Sequence, residues 1–103
     1  MEISFREKKL HKICTDVREL RRAYNIHAEK ISQRLQELCA AESLMDMAKL
    51  PAARLHLLKG EYNGYFAVDI KQPFRIIFKA LDGNSSDYKT ITKVELIAIK
   101  DYH

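Results

Sequence analysis

The chain has few of the residues that mark several specialised classes of protein. It contains two cysteines, two prolines, three glycines and no tryptophan among 103 residues. Cys14 and Cys39 show no metal-type spacing, so we expect reduced thiols near the buried faces of helices, with no disulfide framework and no metal site. No apolar run reaches membrane-spanning length, and charges at positions 6–9 argue against a signal peptide. We therefore expect a cytoplasmic protein without a membrane partner.

What the chain does contain is typical of one soluble domain spanning residues 1–103. It is 47% hydrophobic and 31% charged, which suits an ordinary globular protein with a modest core. The net charge is +4 and the isoelectric point is near 9.1. This mild basic bias allows RNA, DNA or an acidic protein segment as a partner, but does not require one.

The N-terminal half predicts helices. Residues 3–5 are a short apolar segment that suits an edge strand, and two helical stripes follow at three- and four-residue intervals. Asn25 lies between them and can cap the second helix. Ser43 and Asp46 have capping-box spacing, which predicts a short helical turn ended by Pro51. The two stripes are Leu10, Ile13, Val17, Leu20 and Tyr24, then Ala28, Ile31, Leu35, Leu38 and Cys39.

The C-terminal half predicts strands. Residues 54–58 suit a first strand, and residues 65–70 and 74–81 suit an antiparallel hairpin around Pro73. Residues 82–88 form a turn-rich segment that we expect to be a mobile loop. Residues 93–100 alternate, with positions 94, 96 and 98 on one face. The predicted fold is α+β, with two N-terminal helices on one face of a small, mostly antiparallel sheet of three to five strands.

A few polar residues are candidates for chemistry, each with a structural alternative. Arg75 lies mid-strand, where a charge needs a partner or water. It suits either a phosphate-binding fork or a cross-strand ion pair with Asp69 or Glu95. His56 and Lys59 are three residues apart, which suits a site or simply a solvated turn.

Four segments in order resemble one family. RLHLLKG at 54–60, GYF at 64–66, FRIIF at 74–78 and DYH at 101–103 are together similar to HigB-type toxins of the RelE/ParE superfamily. The resemblance runs over essentially the whole chain. It implies the α+β fold described above and ribosome-dependent cleavage of mRNA on the 70S ribosome. It also implies a helix-turn-helix, HigA-like antitoxin, whose complex with the toxin binds operator DNA.

The resemblance also implies a set of site residues and a metal-free reaction without a cofactor. The substrate's 2′-hydroxyl attacks the adjacent phosphate, which needs a base, an acid and cations around the phosphorane. We assign proton transfer to His103, the phosphate clamp to Arg75 and charge stabilisation to Lys59. His56 is a second proton-transfer group or phosphate ligand, Asp101 orients or shares the proton, and Tyr102 stacks on a base. The residues expected to contact RNA or the ribosome are Arg6, Lys8, Lys9, Lys12 and Arg54.

Other functional classes stay open at this point. A gyrase-inhibiting toxin of the same superfamily would share the fold without needing acid–base residues, and a non-catalytic RNA- or protein-binding domain would not need His103. Two features depart from the family pattern. The segment at 82–92 is longer than usual, and Leu58 occupies a position where proline is frequent.

Overall fold

One five-stranded sheet, covered by helices on one face, organises the computed structural model, which describes residues 1–101. The strand order is β1-β5-β4-β3-β2. Neighbouring strands are antiparallel except β1 and β5, which run parallel. The strands are β1 Glu2–Phe5, β2 His56–Leu57, β3 Phe66–Lys71, β4 Phe74–Ala80 and β5 Lys93–Asp101. The predicted α+β class, edge strand and hairpin are confirmed.

The helices precede β2 in the chain. The first two are short and meet at a single residue, and the third is the longest. Among residues 1–101, no helix is long and apolar enough to cross a membrane. The helices are α1 Lys8–Thr15, α2 Val17–Tyr24, α3 Ala28–Ala40 and α4 Leu44–Ala48.

The prediction of one continuous helix from Leu10 to Tyr24 is wrong, because Asp16 interrupts it. The Asp16 backbone is extended, and its carboxylate accepts hydrogen bonds from the backbone N–H groups of Arg18 (2.9 Å) and Glu19 (3.4 Å). Asp16 therefore begins a new helix as its N-cap. The break turns Val17 outward, and its side chain is 65% exposed. Asn25, with φ of 47°, ends α2 rather than beginning α3.

The sheet separates two apolar clusters. The larger lies between the helices and the sheet face that carries Phe66, Val68, Ile76 and Phe78. The smaller lies on the opposite face, which no helix of residues 1–101 covers, and we call that face the open face. Its buried members are Leu58, Ala67, Ile77 and Ile97, with Tyr62, Tyr65 and Ala98 packed against them. The predicted alternation of β3 and β4 is confirmed by these two clusters.

The first predicted strand is shorter than residues 54–58. Only His56 and Leu57 pair with β3, because Arg54 has φ of 45°, a left-handed conformation that a regular strand cannot continue. Leu57 is 45% exposed, whereas Leu58 is buried in the open-face cluster. Leu58, where proline is frequent in the resembled family, thus supplies apolar contact beneath the site.

Strand β5 carries an irregularity that reverses its faces. Ile77 of β4 pairs with Ala98, but the next residue, Phe78, pairs with Leu96, so Ile97 is an extra residue in β5. Up to Leu96 the predicted alternation holds. Beyond the bulge it is wrong, because Ile99 joins the helix-side core whereas Ala98 joins the open-face cluster.

The segment at 82–92 is a hydrogen-bonded loop. Asp82 accepts hydrogen bonds from the backbone N–H groups of Thr92 (2.8 Å) and Lys93 (3.0 Å). The Asn84 N–H donates to the Thr90 hydroxyl at 2.8 Å. Gly83 has φ of 70°, and a Cβ there would meet the Thr90 carbonyl oxygen at 2.3 Å, so glycine is needed at this position. The turn-rich loop predicted at residues 82–88 is thus present and has a defined set of internal hydrogen bonds.

Candidate active site

The open face presents two rows of side chains across the sheet. Residues paired directly across strands share a face, so Asp69, Arg75 and Lys100 form one row over β3, β4 and β5. His56, paired with Ala67, begins the next row, which continues through Ile77. A carboxylate, two cations and a histidine therefore lie near one another around a small apolar patch.

Asp69 is the central charged group of this region. Its side chain is buried, and it accepts hydrogen bonds from Arg54 Nε at 2.6 Å and Gln72 Nε2 at 3.1 Å. Arg75 Nε lies 3.3 Å from the other carboxylate oxygen, so Asp69 faces two guanidinium groups. Burial acts to raise the pKa of Asp69, but the hydrogen bonds from Arg54 and Gln72 and the charges of Arg54 and Arg75 outweigh it and lower the pKa. Asp69 is consequently a stable carboxylate that holds cations in place.

Arg34 fixes the backbone of this row from the helix side. Its guanidinium is 3% exposed. It donates to the carbonyl oxygens of Asp69 at 2.8 Å and Ala52 at 3.0 Å, and pairs with Glu37 at 3.0 Å. The positive charge of Arg34 is thus compensated by two carbonyl oxygens and one carboxylate inside the fold. Arg34 therefore ties α3 to β3 and to the turn before Arg54, so the helix layer holds the two ends of the Asp69–Arg54 pair.

The sequence allowed two roles for Arg75, a cross-strand ion pair and a phosphate-binding group. The cross-strand ion pair with Asp69 is present, whereas Glu95 pairs with Arg6 instead. The Arg75–Asp69 contact has ion-pair distance but lacks hydrogen-bond geometry, and Arg75 Nε is a buried nitrogen with no hydrogen-bond partner among residues 1–101. A buried polar nitrogen that makes no hydrogen bond is uncommon in a folded protein, which marks Arg75 as a candidate for a functional role.

His56 has a fixed ring orientation. Its Nδ1 lies 2.7 Å from the Arg54 carbonyl oxygen, which can only accept, so Nδ1 carries a hydrogen and donates. In the neutral ring this leaves the lone pair on Nε2. That Nε2 is also buried without a hydrogen-bond partner in the described part of the chain. His56 and Arg75 thus each contain a buried nitrogen that makes no hydrogen bond within residues 1–101, in the same region of the sheet.

The remaining predicted catalytic residues divide into three groups. Lys59 is exposed at the start of the turn Gly60–Tyr62, next to buried Leu58. Asp101 pairs with Phe74, a helix-side residue, so its register position is on the face opposite Arg75. Tyr102 and His103 lie outside the described residues.

Lys100 is a cation that the sequence prediction missed. It pairs with Arg75, and its Nζ donates to the Tyr62 hydroxyl at 3.1 Å. Simple alternation assigns Lys100 to the same face as Val94, whereas the bulge at Ile97 moves it to the open face. No local sequence signal marks a bulge there, because the bulge depends on pairing with β4.

The residues predicted to contact RNA or the ribosome do not form one surface around His56 and Arg75. Arg54 pairs with Asp69, and Arg6 reaches the open face, where its Nη2 donates to the Tyr65 hydroxyl at 3.2 Å. Lys8, Lys9 and Lys12 are exposed on α1, which packs into the helix-side core through Leu10. No cluster of three or more metal-ligating side chains occurs in residues 1–101.

The thiols are both free, but only one matches the prediction. Cys14 packs against the helix-side core, where burial raises its pKa to about 11. Cys39 is exposed, so the prediction of a core thiol is wrong at that position. It lies one residue after the buried Leu38 on α3, at the edge of the apolar stripe where solvent begins.

Comparisons with known proteins agree with the resemblance. No curated protein sequence matches the chain. Among solved structures, a YoeB/ParE toxin from Agrobacterium tumefaciens superposes with a TM-score of 0.55 at 15% identity, covering 100% of both chains. Two YoeB–YefM complexes from Staphylococcus aureus, one described as a heterotetrameric toxin–antitoxin complex, superpose with TM-scores of 0.56. Their identities are 15% and 14%, with 100% of this chain and 97% of theirs covered, and these likenesses show a shared fold.

The comparison with protein-family models identifies the family as well as the fold. A model for the RelE-like toxins of type II toxin–antitoxin systems, HigB, matches residues 3–90. That range includes β1 from Ile3 onward, all four helices, the β3–β4 hairpin, and the residues His56, Lys59 and Arg75. The chain therefore belongs to the HigB-like family of RelE-like toxins of type II toxin–antitoxin systems.

Proposed function

We propose that this toxin is a ribosome-dependent endoribonuclease that cuts mRNA and thereby stops translation. The observation that carries the proposal is a pair of buried nitrogens, His56 Nε2 and Arg75 Nε, that make no hydrogen bond within residues 1–101 and belong to the open face of a sheet in a RelE-like toxin. One is a proton-transfer group with its second nitrogen fixed, and the other belongs to a guanidinium that matches a phosphate. Cleavage of RNA by attack of its own 2′-hydroxyl needs both a proton-transfer group and a cation that binds the phosphate.

The reaction proceeds through the RNA's own hydroxyl group. The 2′-oxygen attacks the adjacent phosphorus, the phosphorus–5′-oxygen bond breaks, and the products are a 2′,3′-cyclic phosphate and a 5′-hydroxyl. His56 takes the 2′ proton at Nε2, while its Nδ1–H stays on the Arg54 carbonyl. Arg75 and Lys100 surround the phosphate and stabilise the extra negative charge of the phosphorane. By resemblance to the family, Lys59 adds charge stabilisation and His103 protonates the leaving 5′-oxygen.

Asp101 and Tyr102 complete the set by family resemblance. Asp101 orients or shares the proton carried by His103, from a register position on the face opposite Arg75, and Tyr102 stacks on a base beside the cleaved bond. The partner that silences the activity is an antitoxin, as in the YoeB–YefM complexes, and the HigB family points to a HigA-like, helix-turn-helix protein. Operator DNA is contacted through that complex.

The decisive experiment maps mRNA breaks by primer extension in a translating extract. Wild type should cut within codons only when ribosomes are present. His56→Ala, Arg75→Ala and His103→Ala should each lower the cleavage rate by about 10²-fold or more, because each removes a proton-transfer or charge-stabilising group. His11→Ala is the matched control, since His11 is exposed on α1 and packs edge-on against Phe5.

The competing functions give different results when the growth of cells that express the toxin is followed beside this assay. Intact message with arrested growth would indicate the gyrase-inhibiting class, and intact message with normal growth would indicate a binding domain. Full cleavage by all three variants, each folded by circular dichroism, would refute the residue assignment.

A further inference from the structure

A second group of side chains on the open face combines aromatic rings with cations. The Tyr62 and Tyr65 ring centroids are 6.1 Å apart, with the ring planes inclined by 36°. The Arg6 guanidinium carbon lies 5.7 Å from the Tyr65 centroid, and Lys100 Nζ lies 5.0 Å from the Tyr62 centroid. Each tyrosine is half-buried and packs against the open-face cluster.

A cleft opens directly beside Tyr65. It encloses about 380 Å³ between the turn at Gly64 and the start of the 82–92 loop, with Lys79 and Ser85 in its lining. Gly64 has φ of 88°, and a Cβ built there would meet no atom within 4 Å, so this side of the cleft is open. The cleft is therefore a space next to an aromatic ring that a planar group can enter.

Charged groups of both signs surround the cleft, with Lys79 and Asp82 in its lining and Arg6 and Glu95 beside Tyr65. The hydrogen bond from Arg6 lowers the pKa of the Tyr65 hydroxyl, and the positive charges of Arg6 and Lys79 act in the same direction. Asp82 also lines the cleft, but its oxygens accept hydrogen bonds from Thr92 and from the Lys93 backbone. Glu95 pairs with Arg6 at 3.5 Å and offsets part of that charge.

The cleft and the candidate active site are about 13 Å apart on the same face of the sheet. Lys79 and Arg75 are four residues apart on β4 and point to the same face, which separates them by about 13 Å at about 3.3 Å per residue. Lys100 pairs with Arg75 and donates to the Tyr62 hydroxyl, and the Tyr62 ring in turn lies 6.1 Å from the Tyr65 ring. Tyr62 thus links the candidate active site to Tyr65 at the cleft.

We propose that Tyr65, Arg6 and Lys79 form a second RNA subsite, in which a base of the single-stranded message stacks on Tyr65 in the cleft while Lys79 and Arg6 meet its backbone. The inference rests on the proposed function, because it places this base beside the phosphate held at Arg75. Aromatic rings in a positively charged groove are the means by which proteins hold single-stranded RNA, since every base has a face that can stack.

The test measures binding separately from cleavage. A fluorescent single-stranded oligoribonucleotide with 2′-O-methyl groups cannot be cut by 2′-hydroxyl attack, and fluorescence anisotropy reports its dissociation constant. Tyr65→Leu keeps an apolar cover over the cluster and removes the ring, and we expect about 5- to 100-fold weaker binding. Tyr65→Phe keeps the ring and should bind within about twofold of wild type. Tyr88→Leu is the matched control, because Tyr88 is half-buried on the helix side against Phe66.

Abasic nucleotides test whether the group that contacts Tyr65 is a base. At one position of the oligonucleotide, removing the base should weaken binding to wild type but leave binding to Tyr65→Leu unchanged, since the stacked pair is already lost. A duplex of the same sequence should bind more weakly than the single strand, because its bases are not available to stack.

The outcomes separate this subsite from the catalytic proposal. Binding that depends on the Tyr65 ring supports the subsite even where wild type fails to cut mRNA. The subsite is overturned, whatever the cleavage result, by absence of binding to wild type, by equal binding of folded Tyr65→Leu, or by equal binding of the duplex. A Tyr65→Leu variant that binds RNA normally but resists the antitoxin would overturn it in favour of a protein-binding surface.

Discussion

At the scale of single residues, the open face depends on one buried carboxylate. Asp69 faces two guanidinium groups, and its best hydrogen bond goes to Arg54 at 2.6 Å rather than to Arg75. Arg75 is thereby positioned by a nearby charge without being locked by a hydrogen bond to it. A phosphate that enters can accept from Arg75 while Asp69 keeps Arg54 and Gln72 in place.

Replacing this carboxylate should reduce stability in a pH-dependent way. We expect Asp69→Asn to lower the free energy of unfolding near pH 7 by about 1–3 kcal/mol, because two cations lose their partner. The folded-state pKa of Asp69 is lowered, so its contribution is fully present above the unfolded value of about 3.9 and is lost as pH falls through the folded pKa. The difference between wild type and variant should therefore shrink below about pH 4.

Urea unfolding over a pH series measures this difference. Glu61→Gln, at an exposed carboxylate, is the control and should change stability little at any pH. A difference between wild type and Asp69→Asn that grows on acidification would contradict the assigned pKa direction.

The two thiols provide a second prediction at this scale. Burial raises the pKa of Cys14 to about 11, whereas Cys39 is exposed. Because the thiolate is the reactive form, a thiol reagent near pH 8 should label Cys39 in the native protein and Cys14 only after unfolding. Mass spectrometry of Cys14→Ser and Cys39→Ser identifies each site, and equal native labelling rates would contradict the burial of Cys14.

At the scale of elements, single residues decide where helices and strands change direction. Asp16 divides one apolar stripe into α1 and α2, and Arg54 in a left-handed conformation limits β2 to His56–Leu57. Ile97 adds a bulge that exchanges the faces of β5. Each of these local changes alters which side chains reach the open face or the core.

The helix break at Asp16 can be tested by removing its cap. Asp16→Ala should lower the free energy of unfolding by about 0.5–2 kcal/mol, since two backbone N–H groups of α2 lose their acceptor. Glu7→Ala is a matched control, because Glu7 is the N-cap of α1 but makes no side-chain capping hydrogen bond. Denaturant unfolding of both variants gives the comparison. A stabilised Asp16→Ala would indicate that α1 and α2 favour a continuous helix.

At the scale of the whole molecule, the basic residues lie on two surfaces. Arg6, Arg54, Arg75 and Lys100 belong to the open face, whereas Lys8, Lys9 and Lys12 project from α1 on the helix-covered side. The net charge of +4 is therefore distributed rather than concentrated around the candidate site. We predict that the α1 surface makes a second contact, with the phosphate backbone of ribosomal RNA.

Charge-reversal variants distinguish the contribution of the α1 surface to ribosome binding from the contribution of net charge. We expect Lys8→Glu, Lys9→Glu and Lys12→Glu together to weaken ribosome binding and to reduce its salt dependence, because fewer counterions are released. The control reverses the exposed Lys30, Lys49 and Lys89, which gives the same net charge on other elements. Co-sedimentation over a salt series measures both variants. Equal losses in the two would show that net charge, and not this surface, controls association.

Much of the fold could be predicted because the hydrophobic patterns are strong. The period of two in residues 66–71 and 74–80 predicts the hairpin and its faces, and the stripe of α3 predicts a core helix. His56 and Arg75 could be nominated from the family pattern. Lys100 could not, because its face depends on a bulge that exists only through pairing of β5 with β4. Asp69 likewise gains its role from Arg54 and Arg75, which approach it only in the folded chain.

The sequence by itself determined the α+β class, the hairpin and the family, because these follow from local periodicity and from residue types in a fixed order. Tertiary structure decided the geometry of the open face. It turned Lys100 outward at the bulge and set Asp69 between two arginines. It also placed Tyr62 and Tyr65 over one apolar cluster. These are contacts between residues distant in the chain, and they form only when strand register and packing bring those residues together.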